Sequence, residues 1–307
     1  MKRWKQKAIV QKIISYFPYS QKWNYFFQKY VTKAVNLTNE YFYDRLQHAK
    51  EHLDYFDKFS DKKKPEISLE IGTGWYPTIP ISFFLAGVDK IYSVDISLLT
   101  SKERIKKTLE KFIEAHKNNT LADFIKVEKE RFLILEQVCK NIDSLTLEDV
   151  LKEFKITYLI GDARKLPLAD NSVDLINSNN TFEHIDIKIL IAILNEFKRV
   201  IKKDGIMSHF IDMSDHFANI DVTISRYNFL QFSDKQWKWI DNTIQPQNRL
   251  RIYDYRKIYA DLSIPISDEI LIYGNIAELN LLKLDSKFET YNKTETAVLH
   301  CHLVSVL

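Results

Sequence analysis

The sequence of 307 residues contains very few cysteines and no long hydrophobic run. Its two cysteines, Cys139 and Cys301, match no metal-binding or redox spacing, and two thiols are too few for a disulfide framework. No apolar stretch approaches the roughly 20 residues that a membrane-spanning helix needs, and the N-terminal MKRWKQKAIVQKII is too often interrupted by Gln and Lys to be a secretory signal. These absences predict two free thiols and a cytoplasmic protein.

Acidic residues are absent before Glu40, although the net charge of the whole chain is only +3. The same segment holds eight Lys or Arg residues interleaved with aromatic ones. Such a mixture suits an anionic interface, so one interpretation is a peripheral membrane contact or a lipid-linked substrate. The alternative is an aromatic cap that packs on the core and keeps its lysines in water. The aromatic residues are Trp4, Tyr16, Phe17, Tyr19, Trp23, Tyr25, Phe26, Phe27 and Tyr30.

The chain is long enough for one core domain with appendages, and it shows no repeat or low-complexity stretch. Residues 1–62 read as an N-terminal helical cap that is interrupted near Pro18 and near residues 36–39, and residues 63–307 read as the core. Within the core, residues 98–155 predict a helical crossover with an insertion, and residues 213–256 a substrate loop or lid. His48 and His52 stand at a spacing that can hold a metal, but without a third ligand nearby we expect them to face solvent or substrate.

The stretch over residues 66–97 organises the chain. It predicts a strand that ends at Ile71, a tight Gly72-Thr73-Gly74 turn, a short helix closed by Gly87, and a second strand that ends at Asp95. Two glycines let the backbone turn sharply and let a ligand lie against bare peptide, while a carboxylate about twenty residues further on can accept both hydroxyls of a ribose. The stretch therefore predicts a nucleoside site, although Gly-x-Gly turns also occur in βα units that bind no ligand.

Tyr76-Pro77 stands where a dinucleotide-binding motif would have its third glycine. The pair adds bulk and deletes a backbone donor from the first helical turn, so a diphosphate would fit poorly there. A nucleoside without phosphates would fit, and S-adenosylmethionine is the commonest cofactor of that kind. The form E-x-G-x-G, followed by an acid at the end of the next strand, resembles the cofactor-binding motif of class I S-adenosylmethionine-dependent methyltransferases.

A third strand over residues 156–160 ends in Gly161-Asp162-Ala163. Because the carboxyl ends of consecutive strands share one crevice in a doubly wound sheet, we expect Asp162 beside the glycine turn and Asp95. There it can accept a hydrogen bond from an adenine amino group. The alternative is an aspartate that merely caps its own loop.

The blocks LPLADNSVDLINSNNTFEHI and RVIKKDGIM resemble the second half of the type 11 methyltransferases. They read as a fourth strand over residues 173–178, a helix over 187–202 that stops at residues 203–205, and a fifth strand over 206–212. Two late apolar runs, at 264–273 and 297–307, suit an antiparallel hairpin at one sheet edge. The resemblance implies an α/β fold with a doubly wound, mostly parallel seven-stranded sheet. It implies an S-adenosylmethionine site lined by Glu70, Gly72, Thr73, Gly74, Asp95, Ile96, Asp162, Ala163 and Asn179.

Acid and imidazole groups cluster just after the fifth strand, at Asp212, Asp215 and His216. A hydroxyl acceptor needs a base when it loses a proton, and imidazole titrates near neutral pH. We therefore expect His216 to be the general base, oriented by Asp212 or Asp215, with His184 as the alternative base. The strings DMSDHF and QNRLR resemble a methyltransferase subgroup associated with surface polysaccharide biosynthesis. That resemblance implies O-methylation of a sugar, a glycan or a related small molecule.

The predicted substrate side consists of Asp212, Asn248, Arg249 and Arg251. The two arginines can clamp an anionic group such as a phosphate or a uronate. An aromatic segment nearby reads either as a packed lid face or as a surface for stacking on a sugar ring. Its members are Trp237, Trp239, Tyr253 and Tyr255.

Nucleic acid is not an expected substrate. Asn179-Asn180-Thr181-Phe182 is not the Asn/Asp-Pro-Pro-aromatic turn expected of an adenine or cytosine N-methylase, and neither cysteine is placed to attack a pyrimidine. The alternatives left open are another small metabolite, a lipid-linked acceptor, and a non-catalytic nucleoside-binding protein on the same fold. We expect no resident metal, although Asp212, Asp215 and His216 leave a magnesium ion as an alternative. The oligomeric state stays open.

Overall fold

A computed structural model describes residues 3–15, 36–243 and 245–307. Its strands are β1 (Ile67–Ile71), β2 (Lys90–Asp95), β3 (Ile156–Ile160), β4 (Val173–Asn179), β5 (Ile201–Asp212), β6 (Asp268–Tyr273) and β7 (Val298–Val306). They form a seven-stranded sheet in the order β3-β2-β1-β4-β5-β7-β6. The predicted fold class, a doubly wound and mostly parallel α/β sheet of seven strands, is confirmed.

The helices in the described residues lie mainly between the strands. They are α1 (Arg3–Ser15), α2 (Asn39–Phe59), α3 (Thr78–Leu85), α4 (Lys102–Lys117), α5 (Lys129–Asn141), α6 (Leu147–Glu153), α7 (Ile187–Val200), α8 (Asp234–Ile240), α9 (Ile252–Asp261), α10 (Ile276–Asn280), α11 (Ser286–Glu289) and α12 (Lys293–Thr296). None of these helices is both long enough and apolar enough to span a bilayer.

The order of the strands reverses at β1: the strands that follow β1 in the chain first add on one side of it and then on the other. β1 pairs in parallel with β2 on one side and with β4 on the other, with Ile71 opposite Val94 and Ser178. In open α/β sheets the ligand binds outside the carboxyl ends of the strands at such a switch point. The topology thus places the ligand-binding edge at the ends of β1 and β4, where Ile71 and Asn179 are the last strand residues.

β5 starts five residues earlier than the sequence predicted. We expected the preceding helix to reach residue 202 and to stop at residues 203–205, but α7 ends at Val200 and the strand begins at Ile201. Asp204, with φ of 64°, donates its N–H to the Leu307 carbonyl at 2.5 Å, and the Leu307 N–H bonds to Gly205 at 3.1 Å. The Asp-Gly pair is therefore an irregular position within a strand that pairs with the end of β7, because the C-terminal residues supply partners that local sequence does not reveal.

β7 runs antiparallel to β5. Residues 204 and 205 bond to residue 307, whereas the Met213 N–H bonds to the Leu299 carbonyl at 2.6 Å, so the two strands pass in opposite directions. β7 lies between β5 and β6 in the sheet. Both late apolar runs form strands at one edge, as the sequence predicted, although β6 begins at Asp268 rather than Ile264.

Contacts divide the chain into two compact units. The glycine-turn unit comprises Leu37–Asn179, Ile191–His209 and Val304–Leu307. The histidine unit comprises Asn180–Leu190, Phe210–Leu303 and the described part of Met1–Asn36. Each unit has its own buried apolar cluster, the first around side chains of α2, α3 and α4 and the second around aromatic residues such as Trp4, Phe229 and Trp237.

Residues 98–155 are mainly helical, and two of their helices, α4 and α6, start at a side-chain cap. Ser101 caps α4 by accepting from the Arg104 N–H, and Thr146 and Asp149 form a reciprocal capping box at α6. Ile105, Leu109 and Phe112 recur at helical spacing on the buried face of α4. The insertion therefore packs on the glycine-turn unit through apolar stripes.

The predicted cap over residues 1–62 stays a prediction. Its helix α1 belongs to the histidine unit and α2 to the glycine-turn unit, where Phe42, Leu46 and Phe56 are buried in the core. Most of the predicted basic aromatic interface, with its interruption at Pro18, lies outside the described residues, as do its members Tyr16, Phe17, Tyr19, Trp23, Tyr25, Phe26, Phe27 and Tyr30. Trp4 is buried, and Cys139 and Cys301 are both free, as predicted.

Candidate active site

The Gly72-Thr73-Gly74 turn follows β1 directly. Gly72 and Gly74 have φ of 76° and 72°, a left-handed conformation that glycine adopts without a steric cost. The Gly72 N–H donates to the Val94 carbonyl at 2.8 Å, and the Thr73 hydroxyl donates to the Ser93 hydroxyl at 3.0 Å. The turn is thus fixed against the end of β2, as the predicted nucleoside site requires.

Asp95 ends β2 beside this turn. Its carboxylate accepts the Gly74 N–H at 3.3 Å. Burial raises the pKa of the Asp95 carboxyl, and hydrogen bonds from the backbone of Gly74, Ser97 and Ile96 oppose that rise. The turn and the acid therefore form one preorganised unit, with Ile96 exposed next to it.

Glu70 lies inside β1, two residues before the turn, and is almost completely buried. Burial raises the pKa of its carboxyl to about 7, while the nearby polar groups of Thr73 and Asn179 and the charge of Arg45 oppose the rise. Among the described residues its Oε2 has no hydrogen-bond partner. A buried oxygen without a partner is costly, so this atom points to a ligand donor or cation at the site.

Asp162 and Ala163 lie in the loop after β3. The Gly161 N–H donates to the Asp95 carbonyl at 2.9 Å, which brings this loop next to the end of β2. The Asp162 carboxylate accepts the Arg164 N–H at 2.9 Å and pairs with the Arg164 guanidinium, which holds the pKa of Asp162 below its usual range. The contacts of Asp162 are therefore those of an aspartate that caps its own loop. That Asp162 accepts a hydrogen bond from the adenine amino group stays a prediction.

Together these residues fit S-adenosylmethionine. The glycine turn leaves bare peptide, the Asp95 carboxylate is placed for paired hydroxyl donors, and Glu70 offers a buried anionic oxygen to a cationic ligand. No phosphate-binding helix start competes with that assignment, because Pro77 lacks a backbone donor at the start of α3.

Asp212 and His216 form the main polar contact of the histidine unit. Asp212 is the last residue of β5, and its Oδ2 lies 3.2 Å from His216 Nε2. Its other oxygen lies 3.4 Å from Nε2 of His300, on β7. Burial alone would raise the pKa of Asp212, but the hydrogen bond and charge of His216 and the charge of His300 hold it well below its usual range. Asp212 is therefore an ionised carboxylate between two imidazoles.

The Asp215 carboxylate, which the sequence allowed as an alternative orienting acid, is bonded within its own loop. Its carboxylate accepts the Phe217 N–H at 2.8 Å and the Asn228 side-chain amide at 3.0 Å. Burial raises its pKa to about 6, and those two hydrogen bonds oppose the rise. The structure thus gives Asp215 a capping role within its own loop, while Asp212 contacts the His216 ring.

His184 lies in a short turn after β4, with its ring 5.0 Å from that of His216. A carbonyl oxygen can only accept, so the 2.6 Å contact between His184 Nδ1 and the Pro246 carbonyl places the ring proton on Nδ1. Burial and the charge of His216 lower the pKa of His184 to about 4. His184 is consequently neutral at pH 7 and keeps a lone pair on Nε2.

Glu183 joins these two histidines in a set that the sequence analysis did not single out. One potential ligand atom from each of Glu183, His184 and His216 lies within 4.8 Å of the other two, which is close enough for one metal ion to contact all three. The sequence-based alternative of Asp212, Asp215 and His216 is therefore not the set that the described residues bring together.

Asn248 holds the turn that carries Glu183 and His184. Its side-chain amide donates to the Phe182 and Ile185 carbonyls at 2.7 and 2.9 Å, and its backbone N–H donates to the Glu183 carbonyl at 2.8 Å. We predicted a substrate contact for this residue. The observed amide instead satisfies the carbonyls of a neighbouring turn.

Arg249 and Arg251, the two arginines of the predicted anion clamp, are bonded within the protein, and the clamp stays a prediction. The buried Arg249 guanidinium bonds to the Phe229 carbonyl at 2.9 Å and pairs with Asp234 at 2.5 Å. Arg251 is fully buried and donates to three backbone carbonyls, and burial lowers its pKa to about 10. Both side chains serve carbonyls at the ends of helices and strands, which local sequence could not reveal. The acceptors of Arg251 are Met213, Thr296 and Val298.

The aromatic segment divides by exposure. Trp237 and Tyr255 are buried, as the packed-face interpretation predicts, whereas Trp239 is 76% exposed and Tyr253 is half-exposed. Only the exposed pair is free to stack on a sugar ring.

Four residues were missed or misread. His300 gave no local signal because it stands on β7, far from Asp212 in sequence. His48 and His52, expected to face solvent or substrate, are both buried. Lys7, on α1, lines a small cavity with His216 and Gln247, and burial lowers its pKa to about 8. In the sequence, the only indication for Lys7 was its place in a helical segment where basic and apolar residues alternate.

The sheet order, the switch point and the Gly72–Asp95 site together define the class I methyltransferase fold. Residues 69–208 match a sequence family described as "Methyltransferase domain". The matched region, which is less than half of the chain, is similar to a methyltransferase domain, and the cofactor is S-adenosylmethionine. A search of curated proteins finds no match to the chain.

Solved structures similar to this chain include the PH0226 protein from Pyrococcus horikoshii, with 14% identity, coverage of 88% of this chain and 93% of that one, and a TM-score of 0.48. A geranyl diphosphate C-methyltransferase from Streptomyces coelicolor, solved with Mg²⁺, geranyl diphosphate and S-adenosyl-L-homocysteine, shows 9% identity, 84% and 78% coverage and a TM-score of 0.46. A SAM-dependent methyltransferase from Aquifex aeolicus shows 15% identity, 85% and 90% coverage and a TM-score of 0.39.

Proposed function

We propose that the protein methylates a hydroxyl group of a sugar, a glycan or a related small molecule, with His216 as the general base. The observation that carries the proposal is the contact of 3.2 Å between His216 Nε2 and the ionised Asp212 carboxylate. A base is needed when the acceptor atom arrives protonated, as a hydroxyl does. An amine, a carbanion or a thiolate acceptor would make this pair unnecessary.

Each residue has a distinct part in that reaction. When bound, S-adenosylmethionine supplies an electrophilic methyl group. His216 takes the acceptor proton on the nitrogen that does not face Asp212, and Asp212 fixes the ring orientation and stabilises the imidazolium that forms. His300, on the other oxygen of Asp212, restricts that carboxylate in turn.

The proposed class of methyl acceptor is supported by two observations. Trp239 and Tyr253 are exposed aromatic side chains of the segment next to the histidine cluster in sequence, and they support a ring-shaped, hydroxyl-rich acceptor. The resemblance of DMSDHF and QNRLR to polysaccharide-associated methyltransferases points the same way. A lipid-linked glycan, another small metabolite, or nucleoside binding without catalysis are the competing outcomes.

The test uses the purified chain with methyl-labelled S-adenosylmethionine and pools of nucleotide sugars, lipid-linked glycans, polar metabolites, RNA and unfolded protein. We expect label in a glycan or small-molecule pool. His216→Ala should lower turnover by roughly 10²- to 10⁴-fold, the range for loss of general-base assistance, and leave the affinity for S-adenosylhomocysteine unchanged. The matched control is His116→Ala, an exposed histidine on α4 that stacks on Phe132 outside both sites.

Two results would overturn the proposal. Wild-type turnover in the His216→Ala enzyme would remove this residue from the mechanism and shift the role to His184. Label found only in RNA or protein would refute the acceptor class, and cofactor binding without transfer to any pool would favour the non-catalytic alternative.

A further inference from the structure

α2 contributes a buried histidine to the methyltransferase domain although it precedes the matched segment. His52, on α2, is completely buried. Its Nδ1 lies 2.7 Å from the Ser208 hydroxyl and its Nε2 lies 3.1 Å from the Asn179 side-chain oxygen. Both partners lie within residues 69–208, whereas His52 lies outside them.

These two contacts determine the state of the ring. An amide oxygen can only accept, so Nε2 must carry the proton that bonds to Asn179. The neutral ring then accepts from the Ser208 hydroxyl on Nδ1. Ser208 is on β5 and Asn179 is the last residue of β4, so His52 bridges two neighbouring strands of the sheet.

The bridge also determines which end of the Asn179 amide is available. Because His52 occupies the amide oxygen, the NH₂ group is the end that hydrogen-bonds elsewhere. Asn179 lies two residues beyond Asn177, which is opposite Glu70 in the pairing of β1 with β4, so the side chains of Asn179 and Glu70 lie on the same face of the sheet as diagonal neighbours. The Asn179 amide also lowers the pKa of the Glu70 carboxyl. Without His52 the amide could rotate by half a turn and present its oxygen to Glu70, where two acceptors would repel each other.

We propose that His52 is a positioning residue for the cofactor site, acting through Asn179 on Glu70. Its imidazole holds the amide so that the NH₂ group faces the buried carboxylate, which thereby stays ready for a cationic ligand. The inference rests on the cofactor and is independent of the methyl acceptor and of His216. It extends the working site beyond the matched domain to a helix that precedes it.

The test measures binding of S-adenosylhomocysteine by titration calorimetry to the full chain, so that no acceptor is needed. His52→Phe fills the space without hydrogen bonds and should weaken binding roughly five- to thirtyfold, the effect of misplacing one buried hydrogen-bonding group. His52→Gln, which keeps a donor, should retain most of the affinity. The matched control is His48→Phe, a buried histidine one turn earlier on α2 that contacts Asp44 and Glu51 of the same helix, and its binding should stay within twofold of wild type.

A double-mutant comparison separates positioning from simple destabilisation. Asn179→Ala alone should weaken binding, and adding His52→Phe to it should cause less than a further twofold loss, because the path from His52 to the site is already cut. Fully multiplicative losses in the double variant would overturn the proposal. Wild-type binding by folded His52→Phe, or an equal loss in His48→Phe, would overturn it too. Thermal melts establish that each variant is folded.

Discussion

The cofactor site and the histidine cluster are assembled from the sequence in opposite ways. The first uses one short stretch, from Glu70 to Asp95, and much of its geometry is backbone: two left-handed glycines and the Gly74 N–H on the Asp95 carboxylate. The second uses side chains from three separate segments, which carry His184, the pair of Asp212 and His216, and His300. A site that is built from one contiguous stretch of backbone can be predicted from the sequence, whereas a site built from side chains of distant segments cannot.

The same comparison shows how burial distinguishes ligand-binding groups from structural ones. Glu70 is buried and one of its oxygens lacks a partner among the described residues, whereas Arg249 is buried and its guanidinium bonds to two backbone carbonyls and to Asp234. A polar side chain whose bonds are all used within the protein stabilises the fold and has nothing left for a substrate. Five predictions test this contrast.

The largest effect is expected from Arg251→Met, which removes the buried guanidinium but keeps a long apolar side chain. Three backbone carbonyls would lose their donor, so the free energy of unfolding should fall by about 3 to 5 kcal/mol. Denaturant titration measures it. The control is Arg164→Met, where an exposed ion pair with Asp162 is lost and the free energy of unfolding should be nearly unchanged. If the Arg251→Met enzyme were as stable as wild type but had a raised KM for the acceptor, that result would support the predicted anion clamp.

A smaller effect is expected from Asp95→Ala on cofactor affinity. Loss of charge-assisted hydrogen bonds to the ribose should weaken S-adenosylhomocysteine binding by about 1.5 to 3 kcal/mol, which is roughly 10- to 150-fold. Calorimetry checks it. Asp89→Ala is the matched control, because that aspartate precedes the same strand and pairs with Arg131 and Lys155 on the surface. Unchanged affinity in Asp95→Ala would show that the ribose is held elsewhere.

Glu70 should make cofactor affinity depend on pH. With a pKa near 7 its carboxyl is protonated at pH 6 and ionised at pH 8, so the affinity for cationic S-adenosylmethionine should rise about tenfold between these values. In Glu70→Gln the profile should be flat. A wild-type profile as flat as that of the variant would mean that the carboxyl is ionised throughout.

The same carboxyl affects the stability of the free protein with the opposite trend. Its pKa is raised from 4.5, so its contribution is fully present below that pH and is lost as the pH rises through about 7. The expected loss is up to about 3 kcal/mol at the alkaline end. Denaturant titrations of wild type and Glu70→Gln at pH 5 and pH 8 isolate it.

The smallest expected effect is that of metal removal. His216 needs a nitrogen for the acceptor proton and therefore cannot be a general base and a metal ligand through that nitrogen at once. We expect turnover to survive dialysis against a chelator. Loss of activity that a divalent ion restores would assign Glu183, His184 and His216 to a metal site instead.

The fold was predictable from sequence wherever a strand or turn has a local cause. β1 and β2 end at the predicted residues, and β3 and β4 begin and end within one residue of their predicted limits, because apolar runs are bounded by turn residues. The glycine turn follows β1 as expected. The start of β5 was not predictable, since it depends on pairing with Leu307, about a hundred residues later.

The site was predictable only in part, for the same reason. Asp212 and His216 stand four residues apart, so their pairing is visible in sequence. Nothing local shows that Asn248 and Arg251 face backbone carbonyls, or that His52 meets Asn179 across 127 residues. Those contacts depend on which carbonyls the completed fold leaves without donors.

A carboxyl that titrates near pH 7 also affects the heat of cofactor binding. If S-adenosylmethionine binds the ionised form of Glu70, association at pH 7 releases about half a proton into the buffer. The measured enthalpy would then differ between phosphate and Tris in proportion to their heats of ionisation, while the affinity would be the same in both. The number of protons released, read from that slope, would report the charge state of a single buried residue.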